Sequence, residues 1–269
     1  MTLGFTVEEL GMAGRGGGAL RMGLSRVAED AWLFPDPDRA ARAAAFDADR
    51  DAVMILPEAG DAAAEAAAMI GGPSGLEAAA RACWEDLCLL QSDDDGATYR
   101  LTGGAVAFPT DWRLADKIGQ PLTRVHQPIH GYAEQLSAGV DHFMRTLAPG
   151  PIFGRANWFV VASDDWAYLP DDDPATRFAH VDAGNAGRML YLRCERQTLR
   201  RLPATGAILF TIGIALAAFD TLSPALVRRI ADALAATPEG EHARRAAPHY
   251  IAALTAYAAM RDHPDEKAA

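Results

Sequence analysis

The residues best suited to chemistry cluster in one run, Leu190-Tyr191-Leu192-Arg193-Cys194-Glu195-Arg196-Gln197-Thr198-Leu199. Read as a strand, its side chains alternate: Leu190, Leu192, Cys194, Arg196 and Thr198 share one face, and Tyr191, Arg193, Glu195, Gln197 and Leu199 the other. The apolar face therefore ends in an arginine and a threonine. A buried charge without a partner is costly, so Arg196 is either salt-bridged within the fold or aimed at a ligand, and alternation does not choose between them. Histidines form the second set. His126 and His130 stand at helical metal-ligand spacing, but Pro128 between them opposes a continuous helix and with it a two-histidine site. A single histidine flanked by Val125 and Ile129 has the surroundings of an axial haem ligand. It has equally those of a hydrogen-bonded core histidine, which on the residues alone is the commoner case.

Other chemistries lack support. The chain has no nucleophile elbow, P-loop or zincin motif, which argues against hydrolase and nucleotide-driven reactions. Gly14-Arg15-Gly16-Gly17-Gly18-Ala19 formally fits a dinucleotide fingerprint, yet no strand precedes it and no acidic residue follows at the needed distance, so it reads as a loop. Cys83, Cys88 and Cys194 cannot all pair within one chain, match neither a zinc nor an iron–sulfur spacing, and read as buried thiols. The acidic run Asp93-Asp94-Asp95-Gly96 reads as a solvated turn rather than a metal site.

The elements that must position these residues are legible in outline. Residues 36–68 are Ala-rich and read as helices broken near Pro57 and Gly60. Ser74 with Glu77 forms a capping box for a helix running to about Glu85. Asp86 to Gln91, then Tyr99 to Thr102 with Ala105 to Phe108, suggest a hairpin, followed by a helical stretch from Trp112 to Leu147 interrupted at Pro121 and Pro128. Three strands succeed it, Ala156–Ala162, Met189–Leu199 and Ala207–Ile212. Two strands, a helical block and three strands predict an α+β fold: a PAS-like five-stranded antiparallel sheet with helices on one face. Ser223-Pro224 starts a further helix, and a last one spans about Pro248 to Met260. The expected organisation is an N-terminal, mostly helical extension over 1–73, the core over 74–219 and C-terminal helices over 220–269.

Composition narrows the partners. With 50% hydrophobic and 23% charged residues, the 269-residue chain has the make-up of a folded enzyme or binding module rather than a disordered protein. A net charge of −11 without a Lys/Arg-rich run disfavours nucleic-acid binding. No apolar stretch reaches membrane-spanning length, and Glu8 and Glu9 stand where a signal peptide needs positive charge, so a cytoplasmic location is expected.

Several phrases carry a resemblance: Trp84-Glu85-Asp86-Leu87-Cys88-Leu89-Leu90, Phe108-Pro109-Thr110-Asp111-Trp112, Lys117-Ile118-Gly119-Gln120-Pro121-Leu122 with His126, Arg155-Ala156-Asn157-Trp158, and above all Glu195 to Pro203. In this order the chain resembles the alpha-subunit family of haem-dependent oxidative N-demethylases from about Leu20 to Phe219. The resemblance implies a PAS-type protein holding haem b through one histidine, with oxygen binding opposite, that oxidises a small secondary amine such as dimethylamine to a primary amine and formaldehyde. It implies His126 as the axial ligand, with His130 and His142 as competitors. The catalytic set it implies is Arg196, Thr198 and Glu195, with Arg196 and Thr198 facing the pocket as donors to bound oxygen, and Glu195 and Gln197 holding neighbouring strands. Asn157, Trp158 and Thr211 would lie beside the cofactor, although a core tryptophan with a satisfied asparagine fits as well. Electrons would come from a reductase on partner subunits carrying FMN, a 2Fe-2S cluster and NADPH, because no motif for these occurs here.

One departure stands out. After Phe210-Thr211-Ile212 the family continues with arginine, whereas this chain has Gly213, which places catalysis in question if that arginine anchors a haem propionate or polarises oxygen. A haem sensor or a haem-free paralogue are the competing functions, and the lack of a recognisable output domain favours the enzyme over the sensor.

Overall fold

The polar run begins as a strand at Tyr191, two residues after its expected start because Ala186–Met189 forms a helical turn, and it stays extended two residues past its expected end, to Arg201. In the computed structural model of the chain, which describes residues 3–14, 21–72, 75–94, 96–127 and 132–262, the strands are β1 Ser25–Val27, β2 Val53–Ile55, β3 Asp86–Gln91, β4 Arg100–Ala105, β5 Ile152–Val161, β6 Tyr191–Arg201 and β7 Ile208–Ala218. They form one antiparallel sheet in the order β1-β5-β6-β7-β3-β4-β2.

The five expected strands thus become seven. The extra two come from the N-terminal region and pair at opposite edges, β1 on β5 and β2 on β4. Each is three residues long, too short for a period-two pattern to show in sequence. The expected single helical layer is also corrected, since both faces are covered. On one face Leu192 and Cys194 of β6 pack with Leu10, Leu226, Val227, Ile230 and Leu254. On the other, Cys88, Leu90, Leu101, Leu199 and Ile208 pack with Leu114, Leu122 and Met144. Leucine-rich residues on both sides of a central strand leave no face for water.

The covering helices follow ordinary start signals. Helix α1, Val7–Ala13, begins with a capping box between Thr6 and Glu9. It is followed by α2 Arg39–Ala48, α3 Gly60–Ile70 and α4 Leu76–Ala82. The expected Ser74 cap lies outside the described residues. Between the hairpin and β5 the prolines break the chain into short pieces, α5 Leu114–Lys117, α6 Leu122–Val125, α7 Tyr132–Gln135 and α8 Ser137–Thr146. Two single turns, α9 Pro174–Arg177 and α10 Ala186–Met189, bridge β5 to β6. Ser223 caps α11, Pro224–Ala235, through a bond from Leu226 N–H, as its sequence predicts, and α12 Glu239–Arg244 and α13 Ile251–Asp262 close the chain. No helix among the described residues is long and apolar enough to cross a membrane.

Buried charge joins the helices to the sheet. Arg42 on α2 reaches Asp86 on β3 at 2.7 Å, and its other donors meet the carbonyls of Ala80 and Glu85. Next to it Glu85 is fully buried: one carboxyl oxygen accepts the Phe34 N–H at 2.7 Å, and the other has no partner. Burial pushes this carboxyl up to about 7, against hydrogen bonds and the nearby Arg196 and Arg42 that pull it down. A folded-state value above the unfolded one favours the fold at low pH, and that advantage is lost as pH rises from about 4.5 to 7. Urea unfolding across this window should therefore show the wild type losing about 3 kcal/mol relative to Glu85→Gln, from the shift between 4.5 and about 7. A constant difference between the two chains would contradict the buried carboxyl.

Candidate functional site

Strand pairing sets which side chains share the second face. Arg155 and Asn157 of β5 stand opposite Gln197 and Glu195 of β6, which in turn face Ile212 and Ile214 of β7. This polar patch floors a cavity of about 880 Å³. Its walls are apolar, from Leu90, Leu101, Leu199 and Phe210 on the sheet and Leu122, Val125, Leu136, Val140, Phe143 and Met144 on the short helices. A cavity of this size and character is the candidate ligand site of the fold.

His126 lines the cavity at the C-terminal end of α6. Its Nδ1 lies 2.8 Å from the Leu122 carbonyl, one turn back. A carbonyl only accepts, so Nδ1 carries the proton and Nε2 keeps its lone pair. The ring stacks on Tyr132, centroids 4.4 Å apart and planes 14° from parallel. Burial pushes the imidazole down to about 4; the Leu122 bond opposes this, and Arg155 and Lys117 reinforce it. A neutral imidazole with one nitrogen held by a carbonyl and the other without a hydrogen bond among the described residues has the arrangement of a metal-ligating histidine. Of the competitors, His130 lies outside the described residues, and His142 is exposed on α8, away from the lining.

The polar floor is ordered by its own bonds. Glu195 Oε2 accepts from Gln197 Nε2 at 2.8 Å and from Asn157 Nδ2 at 3.4 Å, and Gln197 Oε1 accepts from Arg155 Nε at 2.7 Å. Glu195 Oε1 has no hydrogen bond among the described residues. Lys117 also lines the cavity, donating to the Val125 carbonyl at 2.8 Å. The lining carries five basic residues, Arg21, Lys117, Arg155, Arg244 and Arg245, against Asp111, Glu195 and Glu241, although the whole chain is −11. A basic cavity in an acidic protein suits a ligand with negative groups.

Two expected pocket residues turn the other way. Arg196 donates to the carbonyls of Gly4 at 3.1 Å, Trp32 at 2.7 Å and Ala31, and its guanidinium lies 4.4 Å from the Phe5 ring centroid. Thr198 accepts from Trp32 Nε1 and pairs with Thr211 at 2.6 Å. Arg196, Thr198 and Thr211 thus lie on the face opposite the cavity, and the expectation that Arg196 and Thr198 point into it is corrected. Alternation identified their shared face correctly; the N-terminal segment that occupies it left no signal. Glu195 and Gln197, expected to hold neighbouring strands, form the cavity floor, where they also bridge to β5. Asn157 and Trp158 both border the cavity, and most of the Trp158 indole packs into the opposite core beneath Arg245.

Position 213 belongs to that opposite face too. Gly213 pairs with Arg196, and a Cβ there would come within 2.5 Å of the Phe34 ring and 3.5 Å of Glu85. Arg155, Lys117 and Tyr132 were not among the expected site residues. Arg155 became visible only through its register opposite Gln197. The cysteines are free and buried, with burial pushing the Cys83 thiol up to about 12, and no metal-binding cluster of His, Cys, Asp and Glu occurs among the described residues.

His126 thus lines an apolar cavity with a polar floor and five basic against three acidic residues in its lining. Residues 68–254, more than half of the chain, match the family described as haem-dependent oxidative N-demethylase, alpha subunit-like, and the chain belongs to it.

The histidine geometry has a direct readout. In a ¹⁵N spectrum His126 should appear as the Nδ1-protonated tautomer and titrate near 4 rather than at the ordinary 6.5. Since its folded value is the lower one, the stability it contributes is present above about 6.5 and lost as pH falls toward 4. A titration near 6.5 would show that the ring is solvated and not held.

Proposed function

We propose that the cavity binds haem b through His126, and that the chain is the haem-carrying subunit of an oxidative N-demethylase acting on a small secondary amine such as dimethylamine. The observation that carries this reading is the neutral, carbonyl-held His126 lining a cavity of about 880 Å³. Family membership supplies the haem dependence and the class of reaction. The central strands support a PAS-like core, with two strands, a helical block and three strands in chain order.

The residues present fit the group. His126 Nε2 would hold the iron, the leucines, Val125, Val140, Phe143 and Met144 would enclose the macrocycle, and the basic side chains match two propionates. Bound haem supplies the oxidising chemistry that turns the amine and O2 into a primary amine and formaldehyde. The chain's own residues do the rest. Leu122 keeps the Nδ1 proton in place and makes His126 a better donor, while Tyr132 fixes the ring plane. The apolar wall excludes water from the reacting amine. Glu195, with Oε2 fastened and Oε1 free, is placed to hold the proton of an ammonium substrate. Arg196 and Thr198 act at a distance, by fixing the far face of β6. Reducing equivalents come from a partner reductase with NADPH, FMN and a 2Fe-2S cluster, which suits an alpha subunit. The assembly belongs in the cytoplasm.

Absorption spectra after haem supplementation test the assignment on wild type, His126→Ala and His142→Ala. The wild type and His142→Ala should share one haem band that is shifted or lost in His126→Ala, and loaded wild type with a reductant should release formaldehyde from dimethylamine. A wild type without a band, or a band unchanged in His126→Ala, would overturn the reading.

A further inference from the structure

Arg193 and Arg196 are buried in the sheet and need nothing more. Arg193 directs its donors to Thr110 Oγ1 and to the carbonyls of Phe108, Pro109, Asp165 and Trp166. Arg196 is met by three carbonyls. Arg155 differs. Its Nε is fixed by Gln197 at 2.7 Å, its Nη1 has only a 3.4 Å contact to the Met22 carbonyl, and its Nη2 has no hydrogen bond among the described residues. It makes no ion pair there either. A half-buried guanidinium with unused donors in an otherwise apolar cavity favours an anionic ligand.

The position says which anion fits. Arg155 stands on the cavity floor, aimed by a fixed relay, Asn157 and Gln197 donating to Glu195 Oε2 while Gln197 Oε1 receives Arg155 Nε. This leaves the outer edge of the guanidinium, Nη1 and Nη2, as a fork. Two parallel N–H donors match the two oxygens of a carboxylate. Of the other cations in the lining, Arg245 is already paired with Glu241 and the Trp158 carbonyl, and the Lys117 ammonium is a point charge already tied to the Val125 carbonyl.

We propose that Arg155, oriented by Gln197, is the residue that receives a carboxylate of the cavity's ligand, and so sets which end of that ligand enters toward β5 and β6. The inference rests on the haem reading, where the carboxylate is a propionate. It assigns the Glu195 charge a separate use: with Arg155 engaged by the ligand, Glu195 remains available to a cationic substrate.

The test compares hemin with its dimethyl ester, which keeps the iron and the ring but loses both negative charges. Dissociation constants are read from the haem band and from tryptophan fluorescence quenching in wild type, Arg155→Gln, Arg155→Lys and Lys117→Met, with circular dichroism confirming that each variant is folded. The wild type should bind the free acid about tenfold or more tightly than the diester, the scale of one charge-assisted hydrogen bond. Arg155→Gln should abolish that preference while leaving diester binding unchanged, and Arg155→Lys should restore part of it. Equal binding of acid and diester by the wild type would overturn the inference while leaving the haem reading standing. A preference that survives in Arg155→Gln and disappears in Lys117→Met would overturn it in favour of Lys117. Failure of the wild type to bind either compound would overturn the haem reading itself.

Discussion

A strand buried on both faces that carries arginines must find oxygen atoms for every guanidinium, and β6 imposes this constraint on the rest of the molecule. Arg193 and Arg196 are 0% and 1% exposed and project to opposite sides. Neither makes an ion pair at salt-bridge distance; backbone carbonyls and one threonine hydroxyl solvate them instead. Those carbonyls belong to segments far away in sequence: residues 4 and 31–32 on one side, 108–109 and 165–166 on the other. Irregular chain is thereby fastened to both faces of the sheet by charge-assisted bonds, each stronger than a neutral one. An arginine lost from either position would leave several buried carbonyls unmet at once.

The same constraint produces the cavity. Arg193 closes one end of its face by drawing residues 108–110 and 165–166 over the sheet. Further along β6, Glu195 and Gln197 are too short to reach such loops, and they turn to β5 instead, where Asn157 and Arg155 lie opposite. The space above this patch is roofed by α6, α7 and α8, whose proline-broken geometry holds apolar side chains over it. A low-dielectric chamber with an ordered polar floor and an excess of basic residues is the result. Electrostatic interactions inside it are stronger than at the surface, so a bound group with negative substituents is held by few contacts.

How much of this was legible in the sequence depended on the range of the information needed. The alternation of β6 is local, and it sorted Arg196 and Thr198 from Glu195 and Gln197 correctly. Which set faces a cavity is not local. It depends on the N-terminal segment, whose β1 is three residues long and whose carbonyls, not side chains, meet Arg196. Carbonyls are identical in every residue and leave no trace in composition, so the polar face that looked like a ligand site was an internal anchor. Arg155 was obscured for the opposite reason. Surrounded by Gly154 and Ala156, it shows no pattern until paired with Gln197 across the strands. The apolar neighbours of His126 are adjacent in sequence but fit a core histidine as well as a ligand, and its tautomer required the turn that brings Leu122 within 2.8 Å. The antiparallel sheet was readable at its five longer strands and not at its two short edges.

The glycine at 213 follows from the same division of faces. Its partner across the sheet is Arg196 and its neighbours are Phe34 and Glu85, so the departure from the family pattern acts on the anchored face and not on the cavity. The close approach of the Phe34 ring, where a Cβ would come within 2.5 Å, requires a glycine. An arginine from this position would have supplied a counter-ion for Glu85. Without it Glu85 has one oxygen bound to the Phe34 N–H and one unpartnered, and burial raises its carboxyl into the neutral range, which lowers the cost of leaving it there. In this chain ring packing of Phe34 and a protonatable acid at Glu85 hold the N-terminal segment here. Because Arg196 is already satisfied by three carbonyls, it does not need to move to compensate, and β6 keeps the register that places Glu195 and Gln197 beneath the cavity.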